Sequence, residues 1–295
     1  MFAKLRSKFS FIKRYLIVFY SKIIEIVNGP MVTGFMIENE NNTFIVDAKD
    51  MTVGKILRDS GSYAVNERNL LTQLVNKDSL IIWAGTHIGA LAIPVSKKVK
   101  KAIFIEANPN TFKLLIKNIT LNNIDHIYSH NLALGEGKGK INFVLNKVNS
   151  GGSKREPINK ENMYYYDNPK TVEIPMTDLD SLLEIKDLNQ EIDLIFMDIE
   201  GSEYFALKGM QKSLLNTRNL VLEFIPHHLK NIANVSPRLL IEKIQDYFDY
   251  CYVPSKNKYI KKNEFINFFE KMYDKNESDD GIIFMKEKTL FFIEK

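Results

Sequence analysis

Hydrophobic and polar positions along the middle of this chain fall into alternating blocks. Short runs made almost wholly of apolar residues occur at 80–84, 102–105, 192–197 and 220–224. Between them, apolar residues recur every three or four positions, which is the period of an amphipathic helix. Apolar runs of this kind are typical of strands buried on both faces of a parallel sheet. The alternation from 80 to 225 therefore predicts an α/β fold with a mostly parallel, doubly wound sheet and helices on both faces.

The blocks on either side of this region have other patterns. Loose alternation at 31–47, followed by two short helical segments, predicts a hairpin and helices over 31–79. The sheet domain is then expected to occupy 80–295, and its last apolar runs to add antiparallel strands at the C-terminal edge of the sheet. A charged segment with aromatic residues at helical spacing, at about 256–280, is predicted to be an insertion.

Residues 1–30 form a basic arm, with six lysines and arginines against one glutamate and hence a net charge of +5. Apolar residues recur along it at helical spacing, which predicts one amphipathic helix. Its longest uncharged stretch, 15–21, is far shorter than the roughly 20 residues that cross a bilayer. Two interpretations stay open: a structural helix packed on the body, or a helix that contacts an anionic membrane surface through residues 1–28. We expect a cytoplasmic location, peripheral to the inner face of a membrane under the second interpretation.

The remaining composition narrows the classes of protein. One cysteine, Cys251, excludes an intrachain disulfide and fits a reducing compartment. Five histidines without a cysteine cluster argue against a structural zinc site, so no bound metal is expected. Outside the arm the chain carries a net charge of −1, whereas nucleic-acid binders carry a basic face on the body, so no nucleic-acid partner is expected. The sequence leaves the oligomeric state open.

The first apolar run ends in a turn with two glycines, Gly85 and Gly89, and the second run ends in Glu106. Glycine lets the backbone approach a ligand closely, and an acid in that place can accept both hydrogens of a ribose diol. The third glycine of a dinucleotide cradle is absent, which favours a nucleoside without phosphates, such as S-adenosylmethionine, over NAD. A tight turn in any doubly wound domain would give the same pattern, so this stretch alone does not decide.

Three of the predicted strands end in acids, namely Glu106, Asp198 and Glu223. Ligands of such sheets bind at the carboxyl ends of the strands, and S-adenosylmethionine carries a sulfonium and an ammonium that acids there would attract. Helix capping or a solvated charge is the alternative for each acid taken singly. The polar stretch 146–170 is predicted to form a loop over this edge. His227 follows the last of these strands and could reach the same edge.

Several runs of the chain resemble the FkbM family of methyltransferases. They lie at 83–89, 104–109, 179–182 and 196–203, and the Asp-Ile-Glu-Gly-Ser-Glu sequence within the last run is the most specific. The resemblance covers about residues 50–226. It implies a Rossmann-like class I methyltransferase fold, S-adenosylmethionine as cofactor, and O-methylation of sugars, glycolipids or polyketides.

The resemblance also implies roles for individual residues. The cofactor would contact the loop residues, the ribose acid and the first acid of the specific run, which are Gly85, Thr86, His87, Gly89, Glu106 and Asp198. The candidates to border the methyl-transfer site or take the proton of a hydroxyl are Asp198, Glu200 and, from its position alone, His227. Trp83 and His87 stand where the family usually has aspartate and asparagine.

We therefore expect an S-adenosylmethionine-dependent O-methyltransferase that acts on a hydroxyl of a glycan, glycolipid or related small molecule. The departure at Trp83 keeps a second class open, a catalytically silent protein with a methyltransferase fold that binds a partner or glycan. A nicotinamide-dependent oxidoreductase is a third class, which the glycine spacing disfavours.

Overall fold

The computed structural model describes residues 2–39, 41–186 and 190–292. Its strands are β1 (Gly34–Glu38), β2 (Thr43–Asp47), β3 (Leu80–Ala84), β4 (Lys101–Ile105), β5 (Ile127–His130), β6 (Ala133–Leu134), β7 (Gly139–Leu145), β8 (Lys154–Arg155), β9 (Lys170–Thr177), β10 (Ile192–Met197), β11 (Thr217–Phe224), β12 (Tyr250–Val253), β13 (Lys258–Lys261) and β14 (Asp279–Met285). Its α-helices are α1 (Phe2–Asn28), α2 (Val53–Ser60), α3 (Val65–Thr72), α4 (Ala92–Ser96), α5 (Pro109–Leu121), α6 (Leu183–Lys186), α7 (Glu203–Lys208), α8 (Gln211–Leu215), α9 (Pro226–His228), α10 (Pro237–Ile241) and α11 (Phe265–Asp274).

An eight-stranded sheet forms the centre of the molecule, in the order β13-β12-β14-β11-β10-β3-β4-β5. The five strands from β11 to β5 are parallel, and the three from β13 to β14 pair antiparallel. This confirms the predicted fold class, a mostly parallel doubly wound sheet with an antiparallel C-terminal edge. β3 and β10 are buried at every residue, as their apolar sequences predict.

Two cores cover the two faces of this sheet. Along β3, Leu80, Ile82 and Ala84 belong to one apolar cluster, while Ile81 and Trp83 belong to the other. The split follows from the period of two along a strand, since successive side chains point to opposite faces. The parallel strands end at one edge of the sheet, and the acids that follow them emerge there.

A second, four-stranded sheet has the order β6-β9-β7-β8, and its strands lie between β5 and β10 in the chain. The stretch 146–170 includes β8 and two short 3₁₀ turns, and it is tied down by the Asp167 carboxylate. That carboxylate accepts hydrogen bonds from the backbone amides of Lys147, at 2.5 Å, and Val148, at 3.0 Å. The stretch predicted to be a loop is therefore held in place by a buried polar group.

The remaining segments pack around the main sheet. β1 and β2 form an antiparallel hairpin where one was predicted, with Phe35 opposite Val46. The segment predicted to be an insertion supplies β13 to the sheet, and the α11 residues Phe265 and Phe269 are buried in the core. No helix within the described ranges is long and apolar enough to cross a membrane.

Candidate active site

A cavity of about 360 Å³ opens at the carboxyl ends of β3, β4, β10 and β11. This volume and this position are typical of small-molecule sites in α/β proteins. The predicted site residues that line it are Gly85, Thr86, His87, Glu106, Asp198 and Glu200. Gly89 and His227, the two other predicted residues, are not part of its lining.

The turn after β3 depends on Gly85. Its φ is +80°, and a Cβ added there would lie 1.7 Å from the carbonyl oxygen of Asp198. Only glycine allows the turn to pass this close to the end of β10. Gly89 has a φ of +85°, but a Cβ there would meet the Ile93 side chain at 2.6 Å. Gly89 thus serves the packing of the following helix, whereas Gly85 shapes the cavity.

The Glu106 carboxylate is fixed at the cavity edge by two backbone amides. His87 N–H donates to Oε2 and Asn108 N–H donates to Oε1, both at 2.7 Å. Burial raises the pKa of this carboxyl to about 7, while the two amide donors oppose the shift. Each carboxylate oxygen has a further lone pair, so both can accept a second hydrogen. A diol is a ligand that offers two such hydrogens side by side.

His87 is anchored by a network that joins three distant parts of the chain. Its Nε2 lies 2.7 Å from Ser150 Oγ, and that hydroxyl donates to Asp50 Oδ2 at 2.6 Å. Since the hydroxyl hydrogen goes to Asp50, Nε2 is the protonated nitrogen and Nδ1 is an acceptor. Burial lowers the pKa of His87, which keeps the ring neutral. Within the described residues, Nδ1 is buried without a hydrogen-bond partner, so it is free to accept one from a ligand.

Acids gather at the opposite end of the cavity. Burial, and then the neighbouring Glu223 and Glu200, raise the pKa of Asp198 well above its usual value. Burial and the acids of β14 raise the pKa of Glu67 to about 7. Such shifts mark carboxylates whose charge is uncompensated, and a bound cation would relieve them. Among the described residues, no acids or histidines are grouped so as to hold a metal ion.

Glu200 belongs to a buried chain of acidic and basic side chains. Lys154 Nζ contacts Glu200 Oε2 at 2.7 Å, and His228 Nε2 lies 3.4 Å from the same oxygen. His228 Nδ1 lies 3.3 Å from Glu223 Oε2. Burial alone would raise the pKa of Glu200, but Lys154 and His228 bring it below its usual value. Glu200 is therefore an ionised, firmly held hydrogen-bond acceptor at neutral pH.

His227 and His228 are adjacent but occupy different surroundings. His227 Nδ1 lies 3.1 Å from the Tyr164 hydroxyl, and burial lowers its pKa to about 4, so it is neutral at neutral pH. His228 is the histidine that lies between the acids. The structure thus places the predicted His227 behind the cavity wall, in contact with the 146–170 stretch.

Trp83 forms part of the apolar wall. Its side chain is 2% exposed and stacks on Phe196, with 4.3 Å between ring centroids. Both residues line the cavity as well as the core. A carboxylate at this position would lie among the apolar side chains of that core.

The lining or supporting residues that were not predicted from sequence include Asp50, Glu67, Ser150, Lys154 and Asp280. Ser150 lies in the polar, glycine-containing stretch 146–170, which was predicted to form a loop over the site. That prediction was a signal that could have pointed to Ser150. Asp50 and Lys154 carry no local signal, because their partners lie 100 and 46 residues away along the chain.

The model of the methyltransferase FkbM domain matches residues 84–251, more than half of the chain. No curated protein matches the chain. Among solved structures, TYW2 from M. jannaschii in complex with AdoMet is 13% identical, with 86% of this chain and 87% of that chain covered and a TM-score of 0.38. The methyltransferase FkbM from Methylobacillus flagellatus KT is 14% identical, with 72% and 44% covered and a TM-score of 0.36.

Trm5b from Pyrococcus abyssi is 12% identical, with 66% of this chain covered and a TM-score of 0.36. This chain spans only 42% of the length of that protein.

Proposed function

This chain belongs to the FkbM methyltransferase family, whose members use S-adenosylmethionine, and we propose that it methylates a hydroxyl of a glycan, glycolipid or related small molecule. The observation that carries the proposal is the geometry of Glu106. Its carboxylate is held by two backbone amides at the edge of the cavity and keeps two acceptor positions for a ribose diol.

The residues of the cavity fit S-adenosylmethionine at each end. Gly85 lets the first turn pass against the end of β10 at the cavity edge, and the apolar side chains of Leu134 and Phe143 line the wall that a flat base would contact. At the other end, Asp198 and Glu67 provide negative charge for the sulfonium and ammonium groups. Charge complementarity of this kind is stronger in a cavity with little water than at the surface.

The cofactor supplies a methyl group bonded to a positively charged sulfur, and the carbon of this methyl group is the electrophile. The protein then has to position the acceptor oxygen and receive its proton. Glu200, kept ionised by Lys154, is suited to orient the hydroxyl as a hydrogen-bond acceptor. Asp198, whose pKa is raised, is the stronger base of the two and is our candidate to take the proton. In this scheme His227 contacts the Tyr164 hydroxyl outside the cavity and does not take the proton.

A polar acceptor without strong negative charge fits the electrostatics. The cavity is lined by Glu67, Glu106, Asp198, Glu200 and Glu223, and outside the arm the chain has a net charge of −1. A nucleic-acid acceptor would bring phosphates towards these carboxylates and be repelled. A glycan hydroxyl would instead donate hydrogen bonds to them.

The test combines calorimetry with a transfer assay. The full chain should bind S-adenosylmethionine, and incubation with isotopically labelled cofactor and a panel of glycans and glycolipids should label an acceptor. Asp198→Asn should weaken binding, because it removes negative charge beside the cofactor, and should lose transfer even at saturating cofactor, whereas Glu173→Gln, on the exposed side of β9, should change neither. Binding without transfer to any acceptor class would favour the catalytically silent alternative, and absence of binding would refute the proposal.

A further inference from the structure

One side of α1 is fixed to the body of the protein. Ser21 Oγ donates to the carbonyl of Lys49 at 3.0 Å, and Lys49 Nζ pairs with Glu25 at 2.6 Å. Further along the same side, the Arg14 guanidinium lies 5.9 Å from the centre of the Tyr166 ring. These contacts fix which face of the helix points inwards.

The opposite side of α1 is apolar and exposed. The exposed fractions of its large apolar residues range from 37% to 79%, and these residues are Ile12, Leu16, Phe19, Ile23, Ile26 and Val27. Their spacing of three, four and seven places them on one face, which we call the outer stripe. An apolar stripe turned away from the body does not contribute to the core and marks an interaction surface.

Basic residues border the outer stripe on both margins. At the helical period, Lys13 falls on one side of the stripe and Lys22 on the other, and both are exposed. The first 30 residues have a net charge of +5, against −1 for the rest of the chain. Lysines at the margins of an apolar stripe can keep their ammonium groups at lipid headgroups while the stripe enters the acyl boundary.

We propose that the outer stripe docks on an anionic lipid bilayer, with α1 parallel to the surface. A second copy of the chain is a less favourable partner for the outer stripe. Two arms, each with a net charge of +5, would then face and repel each other. The inner side of the same helix touches Tyr166, in the stretch that lines the cavity through Ser150 and Ser153. The bilayer would therefore lie roughly one helix diameter, about 10 Å, from this stretch.

Vesicle sedimentation tests this proposal with the full chain. The protein should sediment with vesicles of mixed phosphatidylcholine and phosphatidylglycerol at low salt, and far less with pure phosphatidylcholine. Each basic residue near an anionic surface contributes about fivefold to partitioning, so Lys13→Gln with Lys22→Gln should lower it about 25-fold. Leu16→Ser, Phe19→Ser and Ile23→Ser together should lower it by at least about tenfold, because less apolar area is buried.

The controls separate docking from folding and from catalysis. Leu215 on α8 is 64% exposed, so Leu215→Ser is a matched change outside the stripe that should leave partitioning unaltered. The α1 variants should keep the wild-type melting temperature and affinity for S-adenosylmethionine, since they alter only the outer side of that helix. Equal binding to neutral vesicles, no binding at low salt, or a dimer dissociated by Phe19→Ser would each overturn the proposal.

Discussion

Replacement of the Glu106 carboxylate by an amide tests the site most directly. In Glu106→Gln only one side-chain oxygen remains, so the new amide nitrogen must face either His87 N–H or Asn108 N–H, both of which are donors. One acceptor for the ribose diol is lost as well. A hydrogen bond to a charged group contributes about 1–3 kcal/mol, so the affinity for S-adenosylmethionine should fall about 5- to 150-fold at pH 8.

The pH dependence makes the same prediction sharper. The pKa of Glu106 is raised to about 7, so at pH 6 roughly a tenth of the protein has this carboxyl ionised. Because the diol binds best to the carboxylate, wild-type affinity should rise about tenfold from pH 6 to pH 8 through this group. Glu67 also has a pKa of about 7 and lines the cavity. Any change of cofactor affinity with pH that arises from Glu67 should therefore remain in Glu106→Gln.

Isothermal titration calorimetry in buffers of different ionisation enthalpy gives both the affinity and the number of protons released. At pH 6 to 6.5, Glu106→Gln should release fewer protons than wild type, by a number that approaches one as the cofactor lowers the pKa of Glu106 further. Glu184→Gln is the control, because Glu184 is a half-buried acid paired with His130 outside the cavity. Unchanged affinity and proton release in a folded Glu106→Gln protein would show that this acid does not contact the cofactor.

The remaining predictions concern stability, measured by urea unfolding. Gly85→Ala should lower the free energy of unfolding by more than about 2 kcal/mol, because a Cβ would meet the carbonyl of Asp198 at a positive φ. Trp83→Asp should lower it by about 3–5 kcal/mol, since it removes a stacked indole and buries a charge, whereas Trp83→Phe should lower it much less. Lys154→Met should lower it by about 3 kcal/mol at pH 8 by removing the cationic partner of Glu200, and that loss should shrink towards pH 5 as Glu200 takes up a proton. The double variant with Glu200→Gln should recover most of the loss; an equal loss at both pH values would contradict the ionic explanation.

The parallel sheet was predictable because its signal is local. β3 and β10 are apolar at nearly every position, and a strand buried on both faces requires that composition. Glu106 was predictable for a related reason, because the end of a parallel strand fixes where the next side chain emerges. Each of these features can be deduced from fewer than ten consecutive residues.

The rest of the site depends on contacts between distant segments. Ser150 and Asp50 are 100 residues apart, and nothing near either residue indicates the other. His227 and His228 have the same chemistry, and only the direction of the turn after β11 decides which of them meets the acids. The two glycines of the first turn are also indistinguishable by residue type. Gly85 lies in the turn at the cavity, whereas Gly89 allows the following helix to pack closely.

The position of β14 has a consequence for synthesis of the protein. This strand lies between β11 and β12, with Ile282 opposite Leu222 and Phe284 opposite Cys251. Until residues 279–285 have been synthesised, the edge of the apolar strand β11 that pairs with β14 has no partner strand. Such an edge can pair with other nascent chains, and closing it requires pairing across some 60 residues, which is slow. Emergence from the ribosome is therefore the stage at which we expect this chain to depend most on a chaperone.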